Sequence, residues 1–354
     1  MKNLLQELEF ECGLFGPSGF EVEVRDYLKE RLEEVGYTTK TDAIGNLMVE
    51  VGDTTSPYTL LVEAHMDEVG MMITEIGENG CLSFGCVGGI DPRVLCGKRV
   101  IVRGKDQHDI PGVIASKPIH LQSKEERSHV TKADRMYIDI GVSSREEAES
   151  LVDLGDFAMF DSPFVVFGEP EVKVKGKAID DRLGCAVMLR ALLRLKEEGI
   201  SLPYRCVFSF GTREEVGFSG AKPVTFRVRP THAFILESTA IADLADVPKA
   251  SRVADQGCGG ALSLADNGTI YDSSMIAFAQ ETAKKEGIAV QVKRYVSGGN
   301  NAKHIQQSVG GAKVLALSAP TRYIHSAACV VDLRDCESIE NLVWAMLKAF
   351  PAQL

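Results

Sequence analysis

The run Tyr204-Arg-Cys-Val-Phe-Ser-Phe210 is aromatic and branched, stops at Gly211, and delivers two adjacent carboxylates, Glu214 and Glu215, before a glycine-bounded turn. A run of this kind forms a buried strand. The carboxyl end of a strand is where open α/β sheets place their chemistry. Two neighbouring carboxylates repel, so something must offset their charge. A divalent cation does so when one Glu is a ligand and the other shuttles protons. An isolated Glu-Glu is more often a solvated loop pair. The rest of the chain decides whether this one is isolated.

Other apolar runs end in the same kind of chemistry. Leu60–Val62 leads to His65 and Asp67, and residues two apart on an extended chain share a face. That arrangement suits a His ligand whose second ring nitrogen is held by a carboxylate. Ala233-Phe-Ile-Leu-Glu237 is expected to be a strand ending in an acid. A final strand, Ala312–Leu317, runs on towards Pro320-Thr-Arg-Tyr-Ile-His-Ser326 and sets His325 beyond its end. Asp180 and Asp181 precede the helical run Cys185–Glu198; one caps the helix and the other is free for other work. His65, Asp180, Glu215, Glu237 and His325, with Asp67 and Glu214, therefore form one candidate constellation. Mixed imidazole and carboxylate donors suit zinc, cobalt or manganese rather than calcium. Two His and three carboxylates suffice for two metals sharing a bridging carboxylate.

The chain between these ends divides by texture. Asn3–Phe15 is expected to be helical up to Gly16-Pro17, and Ser18 with Glu21 is expected to form a capping box for a second helix ending at Gly36. Tyr37–Thr41 and Leu47–Val51 pair around Ile44-Gly45-Asn46. From about Val69 to Val165, short β-like runs alternate with Gly-rich turns: Val69–Ile76, Cys81–Val87, Arg99–Arg103, Val113–Ser116 and Met136–Ile140. The expectation is a small β-rich domain, 69–165, inserted into an α/β domain made of 1–68 and 166–354. Within the insert, Ser123–Lys132 is polar and charge-mixed and is expected to be a mobile loop. His120 and His129 beside it are assigned no ligand role. The α/β texture resumes at Glu171–Lys175, followed downstream by Asp243 and Asp246 in a loop, a helix Met275–Glu286 capped by Asp272 or Ser273, strand Ile288–Val292, a helix around Ala302–Val309, and a C-terminal helix Ile339–Phe350 with Trp344 in the core.

Composition excludes several classes. A net charge of -11 argues against nucleic acid or anionic membrane as partners. No apolar stretch approaches the roughly 18 residues that suggest a membrane span, and Met1-Lys-Asn-Leu-Leu lacks a signal-peptide core. Nine cysteines without a CxxC pair point to reduced thiols, and a cytoplasmic location is expected.

With these residues in view, the sequence resembles the cytosolic di-metal aminopeptidases that include glutamyl aminopeptidases and the tetrahedral peptidases of archaea and bacteria. The resemblance spans nearly the whole chain. It rests on His-Met-Asp-Glu-Val-Gly at 65–70, Ala-Ile-Asp-Asp-Arg-Leu-Gly at 178–184, Glu-Glu-Val-Gly at 214–217 and Arg-Tyr-Ile-His-Ser at 322–326. It implies that His65 and Glu237 bind one metal, His325 and Glu215 the other, and that Asp180 bridges. It also implies that Glu214 is the general base and that Asp67 orients His65. Two divalent ions, zinc foremost, would be the cofactors, and peptides with a free N-terminus the substrates. The implied architecture is a mixed-sheet peptidase domain with an inserted β-rich dimerisation domain, assembling into a tetrahedral dodecamer in which the loop near Ser123–Lys132 approaches a neighbouring site. Two positions depart from the pattern: Glu237 stands where Asp is common, and Asn300-Asn301 are neutral where an acid usually follows the Gly-Gly pair.

The competing expectations are a deacylase or carboxypeptidase using the same metals, a glycosidase (relatives have carried endoglucanase labels) and a non-catalytic assembly protein. A glycosidase would leave both His residues unused and would find one tryptophan for sugar stacking in a chain only 7% aromatic.

Overall fold

A computed structural model describes residues 2–170 and 172–351. Its centre is an eight-stranded mixed sheet in the order Thr39–Thr41, Leu47–Gly52, Arg205–Gly211, Thr59–His65, His232–Ala240, Lys313–Thr321, Gly260–Leu262, Val290–Val292. The four strands carrying Gly211, His65, Glu237 and Thr321 run parallel to one another, while Leu47–Gly52 and Gly260–Leu262 join them antiparallel. Every residue of Thr59–His65 is buried, as expected of a central parallel strand covered on both faces. Helix Ile179–Glu197 packs on Thr59–His65 and His232–Ala240, and against helices Leu4–Gly13 and Leu333–Ala349. Their apolar faces form one continuous core with the sheet.

Six further strands close into a barrel: Gly70–Ile76, Leu82–Val87, Met136–Asp139, Asp109–Ser116, Arg99–Arg103 and Phe157–Phe160. Burial alternates cleanly along Asp109–Ile114, the period-two pattern of a strand with one face inward. Met71, Phe84, Val100, Ile114, Ile138 and Phe160 fill an interior distinct from the sheet core. A three-stranded sheet of Val165–Phe167, Lys173–Gly176 and Cys329–Asp332 completes the structure. Glu171, the expected start of the middle strand, lies outside the described residues.

Several local expectations are corrected. The second helix begins at Val22, and Ser18 does not cap it; Glu21 instead accepts the N–H groups of Gly19 (2.7 Å) and Arg213 (3.1 Å). The Ser123–Lys132 segment is not irregular throughout. Ser123 and Glu126 form a reciprocal capping box on a short helix, Lys124–Ser128, and Lys117 pairs with Glu126 at 3.0 Å. The Glu237 strand continues to Ala240, so this acid lies inside the strand rather than at its end. The C-terminal helix starts earlier, at Leu333, capped by Asp332. Trp344 is buried as expected.

Candidate active site

Strand register places the site. His65 lies opposite Gly211 on the neighbouring strand, and the Met66 N–H donates to the Gly211 carbonyl at 2.7 Å, so the Glu214-Glu215 turn emerges beside His65. Asp67 then fastens that turn. Its two carboxylate oxygens accept the N–H groups of Glu214 (3.0 Å) and Glu215 (3.1 Å). On the far side, buried Asn46 accepts the Thr212 N–H at 2.9 Å and donates to the Gly220 carbonyl at 3.1 Å, closing the loop at its base. Gly220 has no substitute there, because a Cβ would lie 2.1 Å from the Thr212 carbonyl oxygen.

The two aspartates divide their work through backbone geometry. Asp180 (ψ 107°) and Asp181 (φ -122°, ψ 46°) are non-helical although they open the long helix, and the peptide between them is cis. Asp181 accepts the Gly184 N–H at 3.0 Å, the usual bond of a helix cap. Asp180 is left to face both imidazoles, with Oδ1 3.5 Å from His65 Nε2 and Oδ2 3.3 Å from His325 Nε2.

Each histidine is tied by its other nitrogen. His65 Nδ1 lies 3.0 Å from the Asp67 carbonyl oxygen, and His325 Nδ1 lies 2.8 Å from the Gly89 carbonyl oxygen. A carbonyl only accepts, so Nδ1–H is the donor in both rings, and Nε2 is the nitrogen turned towards Asp180, protonated there or available to a metal in place of that proton. The Asp67 carboxylate is farther from the His65 ring, at 3.5 Å, than its own carbonyl is. Its orienting effect on the ring is thus shared, and its closer partners are the Glu214 and Glu215 amides. His325 Nε2 is also 3.2 Å from Glu215, and His65 Nε2 is 3.9 Å from Glu237 and 4.0 Å from Glu214. The segment bearing His325 is anchored by an Arg322–Asp243 pair at 2.6 Å and holds both Tyr323 and His325 at positive φ.

All seven residues expected from sequence meet at this one place. Single donor atoms of His65, Asp180 and Glu215, and of His65, Asp181 and Glu237, lie within 4.8 Å of one another. Asp180 Oδ1, Asp181 Oδ2, Glu215 Oε1 and Glu237 Oε1 are buried without a hydrogen-bond partner. Buried carboxylate oxygens converging on two imidazoles fit divalent cations. Protonation tells the same story. Burial, together with the neighbouring acids, pushes Glu214 and Glu237 well above the usual carboxylate range. Burial opposes a charged His325, yet Asp180 and Glu215 carry it up to about 11. The cluster holds more negative charge than its own cations balance.

Sequence reasoning missed three participants. Asp181 supplies a free, buried oxygen as well as the cap. Gly89 reaches the site from the barrel side, where nothing in the sequence marks it. Glu63 lies beneath the site and accepts from Asn301 Nδ2 at 2.7 Å; burial foremost raises its carboxyl to about 7. This pairing accounts for the neutral residue at 301, since an acid there would face a buried carboxylate. Glu63, two residues before His65 on the same strand face, carried the only available signal.

A cavity of about 430 Å³ opens onto Asp180, Glu214, Glu215, Glu237 and His325, and extends past Ser263, Asp266, Lys293 and Asn300.

The model of the M42 glutamyl aminopeptidase family matches residues 45–342. The TET aminopeptidase of Thaumarchaeota archaeon SCGC AB-539-E09 has a similar structure, with a TM-score of 0.93 at 33% identity over 98% of this chain and 96% of its own. The TET1 peptidase of Pyrococcus horikoshii, described as able to assemble into a tetrahedron or a large octahedral shell, gives 0.86 at 34% identity, covering 98% and 99%. The glutamyl aminopeptidase of Lactococcus lactis subsp. cremoris (strain MG1363) is 28% identical over 333 residues, 93% of this chain and 92% of that protein. With the matched span running from the first hairpin to the last helix, this chain belongs to the M42 glutamyl aminopeptidase family of peptide-bond hydrolases.

Proposed function

We propose that the chain is a metal-dependent aminopeptidase that releases N-terminal residues from peptides, with Glu214 as general base. His65 and Glu237 would hold one divalent ion, His325 and Glu215 a second, and Asp180 would lie between them. The supporting observation is Asp180 itself, whose two oxygens face two imidazoles that are each held at Nδ1 by a backbone carbonyl. The donor set favours zinc, with cobalt or manganese as alternatives.

When bound, such ions acidify an attacking water and polarise the scissile carbonyl. The chain's own residues do the rest. Glu214 sits beside the ligand cluster without being needed as a ligand, and its backbone is locked by Asp67. Buried and held in place, it takes a proton from the attacking water and returns it to the leaving amine. The surplus of carboxylates lining the cavity suits the positive α-amino group of a peptide. A glycosidase would have no use for two imidazoles turned onto one buried carboxylate.

The test is a panel of free-amine and N-acetylated short peptides, each with and without chelator, read by mass spectrometry. Stepwise loss of residues from the free-amine peptides alone, abolished by chelator and restored by zinc, cobalt or manganese, is the expected result. Equal cleavage of acetylated peptides would assign a deacylase or another hydrolase instead.

A further inference from the structure

We propose that Glu21 is a positioning residue for the general base, fixing through the Arg213 backbone where Glu214 points. This adds a residue to the aminopeptidase reading above and rests on it. Four consecutive N–H groups of the turn after Gly211 are each taken by a buried side chain. Asn46 Oδ1 accepts the Thr212 N–H at 2.9 Å and Glu21 Oε1 the Arg213 N–H at 3.1 Å. The two Asp67 oxygens accept those of Glu214 (3.0 Å) and Glu215 (3.1 Å). Asn46 and Asp67 flank strands of the central sheet, whereas Glu21 comes from outside it, from the loop before helix Val22–Glu34. Arg213 needs its partner more than the others do. Its side chain is exposed, so the backbone is what the fold engages. Its φ of 56° lies in the left-handed region, where any residue but glycine is strained. Such a conformation persists only where the surroundings over-determine it. Glu21 holds the Arg213 amide, and the Ser219 N–H donates to the Arg213 carbonyl at 3.1 Å.

Glu21 is itself fixed from both sides. The Gly19 N–H donates to the same Oε1 at 2.7 Å. The Gly16 carbonyl accepts the Glu68 N–H and the Ser18 N–H donates to the Glu68 carbonyl, both at 3.0 Å, so the loop is bound to the chain just past Asp67. The Phe20 ring lies 5.6 Å from those of Phe15 and Phe157, which seats the loop against the barrel. Glu21 is 5% exposed, and burial foremost, then Asp67, raises its carboxyl to about 7. The surroundings thus disfavour its charge, and what the turn draws on is an acceptor oxygen. With metals bound, Glu215 would gain a second anchor through its own carboxylate. Glu214, the base, would not, so its direction depends on how the turn is held. Misplacing a reacting group by about 1 Å can cost on the order of 10²-fold in rate.

The experiment measures kcat and KM of the metal-loaded enzyme on the free-amine peptide that the wild type cleaves fastest, with metal content by elemental analysis. Glu21→Ala should lower kcat by ~10-fold or more, with KM and bound metal unchanged. Glu21→Gln, which returns an acceptor oxygen to the same place, should restore most of kcat. Adding Arg213→Gly to Glu21→Ala should recover part of the loss, because glycine adopts the left-handed conformation without strain. If Glu21→Ala does not fold, Glu21→Asp, whose oxygens fall one methylene short, should show the same fall in kcat at full metal content. An unchanged kcat in Glu21→Ala would overturn the proposal, as would a loss explained by missing metal. Equal losses in the Ala and Gln variants, or no recovery in the double variant, would overturn it too. No cleavage of any free-amine peptide by the wild type would overturn the aminopeptidase reading itself, an outcome distinct from an active wild type with an equally active Glu21→Ala.

Discussion

Glu214 and Asp180 line one cavity with different proposed duties, and mutation should separate them. Glu214→Gln keeps the shape and both ring partners of the site while removing the proton acceptor. The expected loss in kcat is ~10²–10⁴-fold, with metal content unchanged by elemental analysis and no fall in melting temperature, because one of several crowded carboxylates is gone. Asp180→Ala should instead reduce bound metal as well as activity, since both imidazoles look to that one side chain. Equal metal loss in both variants would contradict the division of roles. At this scale the sequence was most informative where chemistry sat next to an apolar run: His65, Glu214 and Glu215 follow strands whose burial is written in their branched and aromatic residues. Gly89, Asp181 and the Glu63–Asn301 pair were not legible in the same way. Their roles depend on a backbone carbonyl, a non-helical turn and a partner 238 positions away.

Among the elements, the same helix caps that locate the boundaries also set stability. Asp272 accepts the N–H groups of Ser274 (3.0 Å) and Met275 (3.1 Å) at the start of Ser273–Glu286. Asp272→Ala should cost about 1 kcal/mol in denaturant unfolding without touching the site. Asp335, in the first turn of Leu333–Ala349, accepts the Gly257 and Gly259 N–H groups at 2.8 and 2.7 Å. Burial foremost pushes its carboxyl up to about 6. Its folded pKa lies above its unfolded value, so the folded chain holds the proton more tightly. That contribution is complete below about pH 4 and lost as pH rises through 6. Between pH 5 and 7.5, wild type should lose roughly 1 kcal/mol of stability relative to Asp335→Asn; parallel curves would refute the assignment. Long periodic elements such as the Cys185–Glu198 helix were readable, and so were most barrel strands. Lys124–Ser128 was read as loop because four charged residues and a serine show no apolar period. Gly260–Leu262, Cys329–Asp332 and Phe157–Phe160 were unread because a three- or four-residue strand is defined by its neighbours more than by its own pattern.

The whole molecule turns on the barrel. Its strands all fall between Gly70 and Phe160 and bury an interior distinct from the sheet core, and on that ground we propose 69–165 as an insert in a discontinuous peptidase domain. Yet Gly89 holds His325, so the insert also completes the site. Ile119, Leu121 and Val130 on the segment around Lys124–Ser128 are 69%, 61% and 55% exposed. Where such open apolar side chains gather into one patch, they mark an interaction surface. We propose that they are covered by further copies of this chain. Light scattering on the purified protein should then give a mass that is a multiple of 38.5 kDa. Ile119→Asp with Leu121→Asp should lower that mass while leaving the fold, judged by circular dichroism, unchanged, because neither side chain contributes to the barrel core. If the assembly encloses the sites, intact folded proteins should keep their N-termini while short peptides are trimmed. The dissociated variant should then lose that discrimination. A monomeric wild type that still spares folded proteins would place the restriction in the cavity of each chain instead.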